Sequence, residues 1–286
     1  MTDLTTIQFV PASDVSLQTL TDTFNAAYEG YIMPVNVTPQ WMEMTVTHGD
    51  LMLKLSSVAM LNNSPVGLYL LGKRHHHGWI GGVGVALPHR RKGIGKALME
   101  RAIETAAYAG ITQLDLEVII GNDGAYALYQ ALGFKTTRKL LILTRDAAPL
   151  PSPPVTLRVE DVSIDDITPY YEAWHPKLIP WQRQIESLKH HADDYSVHLA
   201  YRDEQPVAYT VFRMMNDVIA LTDFAFTSGA DDYMESLLIH LHQTTPTAPG
   251  RIINIGEDDP AAALLLKLGY TESIAQYEMR LVPGVP

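Results

Sequence analysis

The chain has 286 residues, 47% of them hydrophobic, with a formal net charge of −11 and no cysteine. That length suits one large or two medium domains with ordinary cores. The absence of cysteine excludes a disulfide scaffold, a thiolate metal site and a cysteine nucleophile, and it suits a reducing compartment.

Met1-Thr2-Asp3-Leu4 offers no basic region followed by an apolar run, so no signal peptide is expected. No apolar stretch approaches the roughly 20 residues of a membrane span. A cytoplasmic protein without a membrane partner is expected. Leu17 to Tyr28 is predicted as a helix, and Tyr28 to Gln40 is rich in aromatics, proline and glycine. His75-His76-His77 invites a metal reading. Consecutive strand residues diverge, however, and a solvated hairpin turn is the expectation. His190-His191 lacks companion ligands, and His240 and His242 diverge on a helix-like segment. No metal site is assigned.

The most informative stretch follows. Trp79-Ile80-Gly81-Gly82-Val83-Gly84-Val85 reads as a strand whose glycines predict a bulge or a close backbone approach. It leads through Ala86-Leu87-Pro88-His89 into Arg90-Arg91-Lys92-Gly93-Ile94-Gly95-Lys96. The first N–H groups of a helix point outward and favour negative charge, and glycines leave that backbone open. Four cations on an otherwise acidic chain mark an anion site, not a nucleic-acid surface. The P-loop motif fails, because Arg90 and Ala97 stand where it needs glycine and serine or threonine. The dinucleotide fingerprint fails at Leu98.

Ile94 to Ala109 has helical spacing of apolar residues, with Gly110 as its stop. Ile111 to Ile120 is predicted as a strand. Leu114, Leu116 and Val118 share one face; Asp115 and Glu117 share the other. Asn122 is a predicted cap for the next helix, which Gly133 ends. A proline-rich break at 146–154 separates two halves that match faintly. Asn122-Asp123, Leu128 and Leu132-Gly133-Phe134 parallel Asp258-Asp259, Leu264 and Leu268-Gly269-Tyr270. Thr137 to Thr144 and Ala275 to Leu281 are the two closing strands. Near Phe226 to Asp232 the second half has one glycine, two aspartates and no Arg or Lys, a poor setting for an anion.

Arg90 to Gly95 resembles the acetyl-CoA loop of the GNAT acetyltransferase superfamily, written as Arg or Gln, two residues, Gly, one residue, then Gly or Ala. Asn122 to Phe134 is similar to that family's Asn-x-x-Ala-x-x-Leu-Tyr-x-x-x-Gly-Phe segment. The resemblance covers residues 80 to 145 closely. It implies an α/β fold of two tandem copies, each a mostly antiparallel mixed sheet flanked by helices. Residues 1–146 would form the acetyltransferase domain, 147–154 the linker and 155–286 a degenerate copy. It also implies transfer of acetyl from acetyl-CoA to an amine by direct attack in a ternary complex. The acceptor would be a small molecule or a protein N-terminus, with no nucleic acid involved; a homodimer is compatible with this.

By the same resemblance, coenzyme would contact Val83, Gly84, Val85, Arg90, Arg91, Lys92, Gly93, Ile94, Gly95, Lys96 and Asn122. Tyr129 falls at the family's general-acid position. The family's usual central-strand carboxylate is absent. Glu117, five residues before Asn122, stands where the ribosomal-protein alanine acetyltransferases of the superfamily carry a glutamate. A water chain or a backbone carbonyl is the alternative base. The contrasting reading is an acyl-CoA sensor or interaction module without turnover.

Overall fold

The computed structural model describes residues 7–175 and 178–284, so the Met1–Leu4 start lies outside the described residues. Two compact units emerge: Met1–Thr137 with Tyr277–Pro286, and Arg138–Gln276. Neither matches the contiguous halves expected from the proline-rich break. The first closing strand contributes mainly to the second unit, and the tail of the second contributes to the first.

The first unit begins with β1 (Ile7–Pro11), α1 (Leu17–Tyr28) and α2 (Pro39–His48). It continues with β2 (Ser57–Leu61), β3 (Ser64–Arg74), β4 (His77–Val85), α3 (Ile94–Tyr108), β5 (Gln113–Ile119) and α4 (Asp123–Ala131). Strands β1 to β4 pair antiparallel in sequence, and β5 pairs parallel to β4. The predicted helices form because their caps and apolar faces agree. Ser16 Oγ accepts the Thr19 N–H at 3.0 Å at the start of α1. Gly110, at φ +73°, follows the end of α3. Leu98, Met99, Ala102 and Ala106 of α3 pack on Tyr69, Leu71, Ile80, Leu114, Leu116 and Val118 of the sheet. The alternation predicted for β5 thus holds, with its leucines inward.

The glycine-rich strand carries the predicted irregularity. Register slips between Leu70↔Gly82 and Leu71↔Ile80, which leaves Gly81 as the extra residue. A Cβ on Gly81 would lie 2.4 Å from the Trp79 ring. Pairing of β4 with β5 runs only from His77↔Gln113 to Ile80↔Leu116. The two strands part beyond it, and the backbone of 81–85 faces an opening on that side.

Strand β6 (Lys135–Arg145) starts in the first unit and continues in the second. The second unit then adds β7 (Arg158–Val162), α5 (Ile164–Trp174), α6 (Ile185–Lys189), β8 (Ser196–Arg202) and β9 (Gln205–Met215). It continues with β10 (Val218–Phe226), α7 (Asp231–Thr244), β11 (Gly250–Gly256) and α8 (Pro260–Lys267), and β12 (Thr271–Leu281) starts in it and ends in the first unit. No helix or strand forms between Asp146 and Leu157. The second unit repeats the local plan of the first. β10 is antiparallel to β9, parallel to β11 over Ile219–Leu221, and bulged between Leu221 and Asp223. Among the described residues, no helix is long and apolar enough to cross a membrane.

Candidate active site

A cavity of about 350 Å³ opens in the first unit where β4 leaves β5. Val83, Gly84 and Val85 of β4 line it, with Gly95 and Met99 of α3 and Asn122, Ala125 and Tyr129 at α4. Tyr28, Tyr31 and Ile32, from the end of α1 and the segment after it, complete the wall. The structure thus brings together residues that are 101 positions apart, from Tyr28 to Tyr129.

The start of α3 has the character expected of an anion site. Gly93 is its N-cap at φ +85°, and no side chain caps the helix. The outward N–H groups are therefore left for a ligand or water. A Cβ on Gly95 would meet only Val85 Cγ2, at 3.8 Å, so packing within the protein does not demand glycine there. Ile94, by contrast, turns its side chain into the core and is fully buried. It can offer only its backbone.

The four cations divide by role. The Arg90 guanidinium is bonded to backbone carbonyls: Nε to Val85 at 2.9 Å, and Nη2 to Ala27 at 2.9 Å and Glu29 at 2.7 Å. It braces the end of α1 against the end of β4. Arg91, at φ +62°, and Lys92 are exposed, with Lys92 Nζ donating to the Pro88 carbonyl at 2.9 Å. Lys96 is exposed and pairs with Glu100 at 3.1 Å, an interaction easily exchanged in water.

Asn122 caps α4, its Oδ1 accepting the Ala125 N–H at 3.3 Å, and its side chain also hydrogen-bonds Tyr31. Tyr129 is buried, and burial pushes its hydroxyl far above the ordinary phenol value, with smaller contributions from Tyr28 and Tyr31. It carries its proton at neutral pH. Glu117 does not line the cavity. Its Oε2 accepts the Trp79 Nε1 hydrogen at 2.8 Å, and Glu117 stands one residue beyond the last β4–β5 pair, Ile80↔Leu116. Tyr28 and Tyr31 were legible as part of the aromatic-rich stretch 28–40, which the family resemblance assigns to the acceptor site. No spacing rule ties that stretch to α4.

His75 and His76 form the β3–β4 turn, and His77 Nε2 lies 2.8 Å from Asp115 Oδ2. Asp115 also accepts two hydrogen bonds from Arg280, each at 2.8 Å. Burial alone would raise this carboxyl, but the His77 and Arg280 contacts outweigh it and hold it below its ordinary value.

In the second unit, the place after the β10 bulge is filled. Asp223 is fully buried there. It accepts from Tyr209 Oη at 2.9 Å, Arg183 Nε at 2.9 Å and His175 Nε2 at 3.1 Å. The next helix, α7, opens with Asp231 and Asp232. A carboxylate cluster replaces the basic helix start, as the sequence predicts.

Residues 19–134 match the Acetyltransferase (GNAT) family model. The chain is 38% identical over 63 residues to N-alpha-acetyltransferase MAK3 of Arabidopsis thaliana, covering 22% of this chain and 33% of that protein. It is 40% identical over 53 residues to N-acetyltransferase family 8 member 3 of Rattus norvegicus, covering 18% and 23%. The matches thus span a third or less of each curated relative. Among solved structures, a tandem GNAT protein from the clavulanic acid biosynthesis pathway superposes with a TM-score of 0.71 at 15% identity, covering 97% of this chain and 99% of that one. That likeness extends the shared fold to both units.

Proposed function

We propose that this chain, a member of the GNAT acetyltransferase family through residues 19–134, transfers the acetyl group of acetyl-CoA to an amine in its first unit, by direct attack in a ternary complex. One observation carries the reading: the open backbone of β4, the uncapped start of α3 and the buried phenol of Tyr129 all face one cavity. In this reading the pyrophosphate sits on the N–H groups of residues 93–96, with Arg91, Lys92 and Lys96 supplying charge. The pantetheine arm follows Val83, Gly84 and Val85, and Asn122 holds the mouth of the cavity beside α4.

The chemistry follows from the groups present. The amine nitrogen bonds to the thioester carbon, the C–S bond breaks, and Tyr129 hands its proton to the departing thiolate. Burial keeps that proton in place until the thiolate forms. Glu117, held by Trp79 outside the cavity lining, takes the amine proton through an intervening water. The wall of Tyr28, Tyr31 and Ile32 is uncharged and suits an acceptor presenting little beyond its amine and an apolar side chain. The N-alpha-acetyltransferase among the relatives favours a protein or peptide α-amine within that class. Thiol release from acetyl-CoA across peptides with free N-termini, polyamines and simple amines tests the proposal. Release with at least one acceptor is expected; binding without release for every acceptor would favour a sensor instead.

A further inference from the structure

Asn25 stands outside the cavity lining. We propose that it is a positioning residue for the amine acceptor: it closes the neck of the loop 29–37 and so fixes the part of the cavity wall which that loop carries. The proposal rests on the acetyl-transfer reading above.

The loop leaves α1 at Tyr28 and returns to the same helix one turn earlier, at Asn25. Asn25 Oδ1 accepts the Val37 N–H at 2.8 Å, and Asn25 Nδ2 donates to the Val37 carbonyl at 3.0 Å. A carboxamide carries the donor and the acceptor that one backbone residue needs, and the backbone partners fix which end is which. The start of the loop is held separately. The Tyr31 N–H donates to the Tyr28 carbonyl at 3.0 Å, and Arg90 Nη2 donates to the Glu29 carbonyl at 2.7 Å. Gly30, at φ +67°, makes the turn out of the helix. A short excursion with a closed neck is an Ω-loop, a kind of loop that often carries functional side chains. Here it carries Tyr31 and Ile32, which both line the cavity. The Tyr31 ring stands edge-on to Tyr28 at 5.1 Å between centroids, and Ile32 Cδ1 lies 3.9 Å from the Cβ position of Gly121, in the turn before α4. The loop thus reaches from α1 to the α4 side of the opening, and its neck decides how far.

The second unit repeats the device with a different side chain. Tyr28 stacks on Phe24 at 4.4 Å, and at the end of α5 Trp174 stacks on Tyr170 at 4.8 Å. That match sets Tyr171 in register with Asn25. Tyr171 Oη donates to the Arg183 carbonyl at 2.8 Å. In each unit, then, the side chain three residues before the helix end holds backbone 12 residues further on. An amide and a phenol share neither size nor shape, so the two units have the bond in common and not the residue. In the second unit the segment so held delivers Arg183 Nε to Asp223 at 2.9 Å, beside the β10 bulge. In the first it delivers Tyr31 and Ile32 to the opening beside the β4 bulge.

Asn25→Ala removes both bonds and touches nothing that lines the cavity. With acetyl-CoA saturating, KM for the amine that the wild type turns over fastest is expected to rise about tenfold or more, because a wall shifted by about 1 Å no longer fits its ligand. By the same logic kcat should stay within about threefold, and calorimetric affinity for acetyl-CoA within about twofold. A residue serving stability alone would lower the melting temperature and leave KM for the amine unchanged, which overturns the proposal. If Asn25→Ala does not fold, Asn25→Ser carries the same test, since its short hydroxyl cannot make both bonds; an unchanged amine KM overturns the proposal there too. Chymotrypsin cleavage after Tyr31 reads the neck without turnover. It should be faster in the variant than in the wild type, and equal rates overturn the proposal. Absence of thiol release by the wild type overturns the acetyl-transfer reading itself, a result distinct from an active wild type whose amine KM is unmoved by Asn25→Ala.

Discussion

Arg90 Nη2 donates to the carbonyl oxygen of Ala27 at 2.9 Å, tying the loop that follows β4 to the last turn of α1. A second bond from the same nitrogen reaches Glu29 at 2.7 Å. The guanidinium is thus spent on backbone carbonyls of α1 and β4, and under the proposed function the phosphate charge would be met by Arg91, Lys92 and Lys96. Arg90→Ala is expected to cost about 2 kcal/mol of stability through lost charge-assisted bonds. It should raise KM for the amine more than KM for acetyl-CoA. Steady-state kinetics with each substrate varied in turn separates the two.

Charge reversal at the exposed cations should act on the coenzyme alone. Arg91→Glu with Lys96→Glu is expected to abolish calorimetric binding of acetyl-CoA while the melting temperature stays close to that of the wild type, since both side chains are exposed. Retained affinity would refute the pyrophosphate assignment.

Removal of the two groups to which the proposed mechanism gives proton transfer should leave different signatures. Tyr129→Phe is expected to lower kcat about hundredfold, with acetyl-CoA binding preserved. Glu117→Gln keeps an acceptor for Trp79 Nε1 but cannot take a proton. It should lower kcat about tenfold, and a more basic assay pH should recover part of the loss as the amine deprotonates unaided. A pH–rate profile of Glu117→Gln identical to that of the wild type would remove Glu117 from the mechanism.

Asp115 predicts how the first unit meets acid. Its folded pKa lies below the ordinary 3.8, because the His77 and Arg280 contacts outweigh burial. The unfolded chain therefore binds the proton first. The stability from this group is fully present above that pH and is lost as pH falls through the lower folded value. Asp115→Asn is expected to cost about 2 kcal/mol near neutrality. Urea unfolding should show the gap to wild type narrowing below pH 3.8.

The pKa of His242 in the second unit is lowered for a different reason, burial that disfavours its charged form, with the same direction in acid. Burial, with the charge of Arg145, lowers its pKa from 6.5 to about 4, and its Nε2 lies 3.0 Å from the Tyr270 hydroxyl. The unfolded chain takes up this proton at higher pH than the fold does. Stability should therefore decline from pH 6.5 toward pH 4, by up to about 3 kcal/mol. His242→Gln should flatten that decline in urea titrations at pH 7, 6 and 5.

Much of this was readable along the chain because the signals are local. Helix α3 follows from its apolar spacing and from Gly110. Strand β5 follows from the alternation of Leu114, Leu116 and Val118 against Asp115 and Glu117. The bulge at Gly81 follows from three glycines in four residues. The hydrogen-bond partners of Arg90 and Glu117 were not readable. Sequence shows that a side chain is charged, but its partner depends on which distant backbone or indole packs beside it.

The sequence by itself determined helices α1, α3 and α4, strands β4 and β5, the basic glycine-rich start of α3, the tyrosine of α4 and the loss of that basic start in the second half, because each depends on residues within a turn or two of one another. Only the tertiary structure decided that β4 parts from β5 after Ile80. It alone placed the end of α1 over Gly82 and Gly84, and with it Tyr28 against the same opening as Tyr129. Those relationships depend on packing between segments far apart in the chain, where one missing Cβ sets how closely a helix can approach a strand.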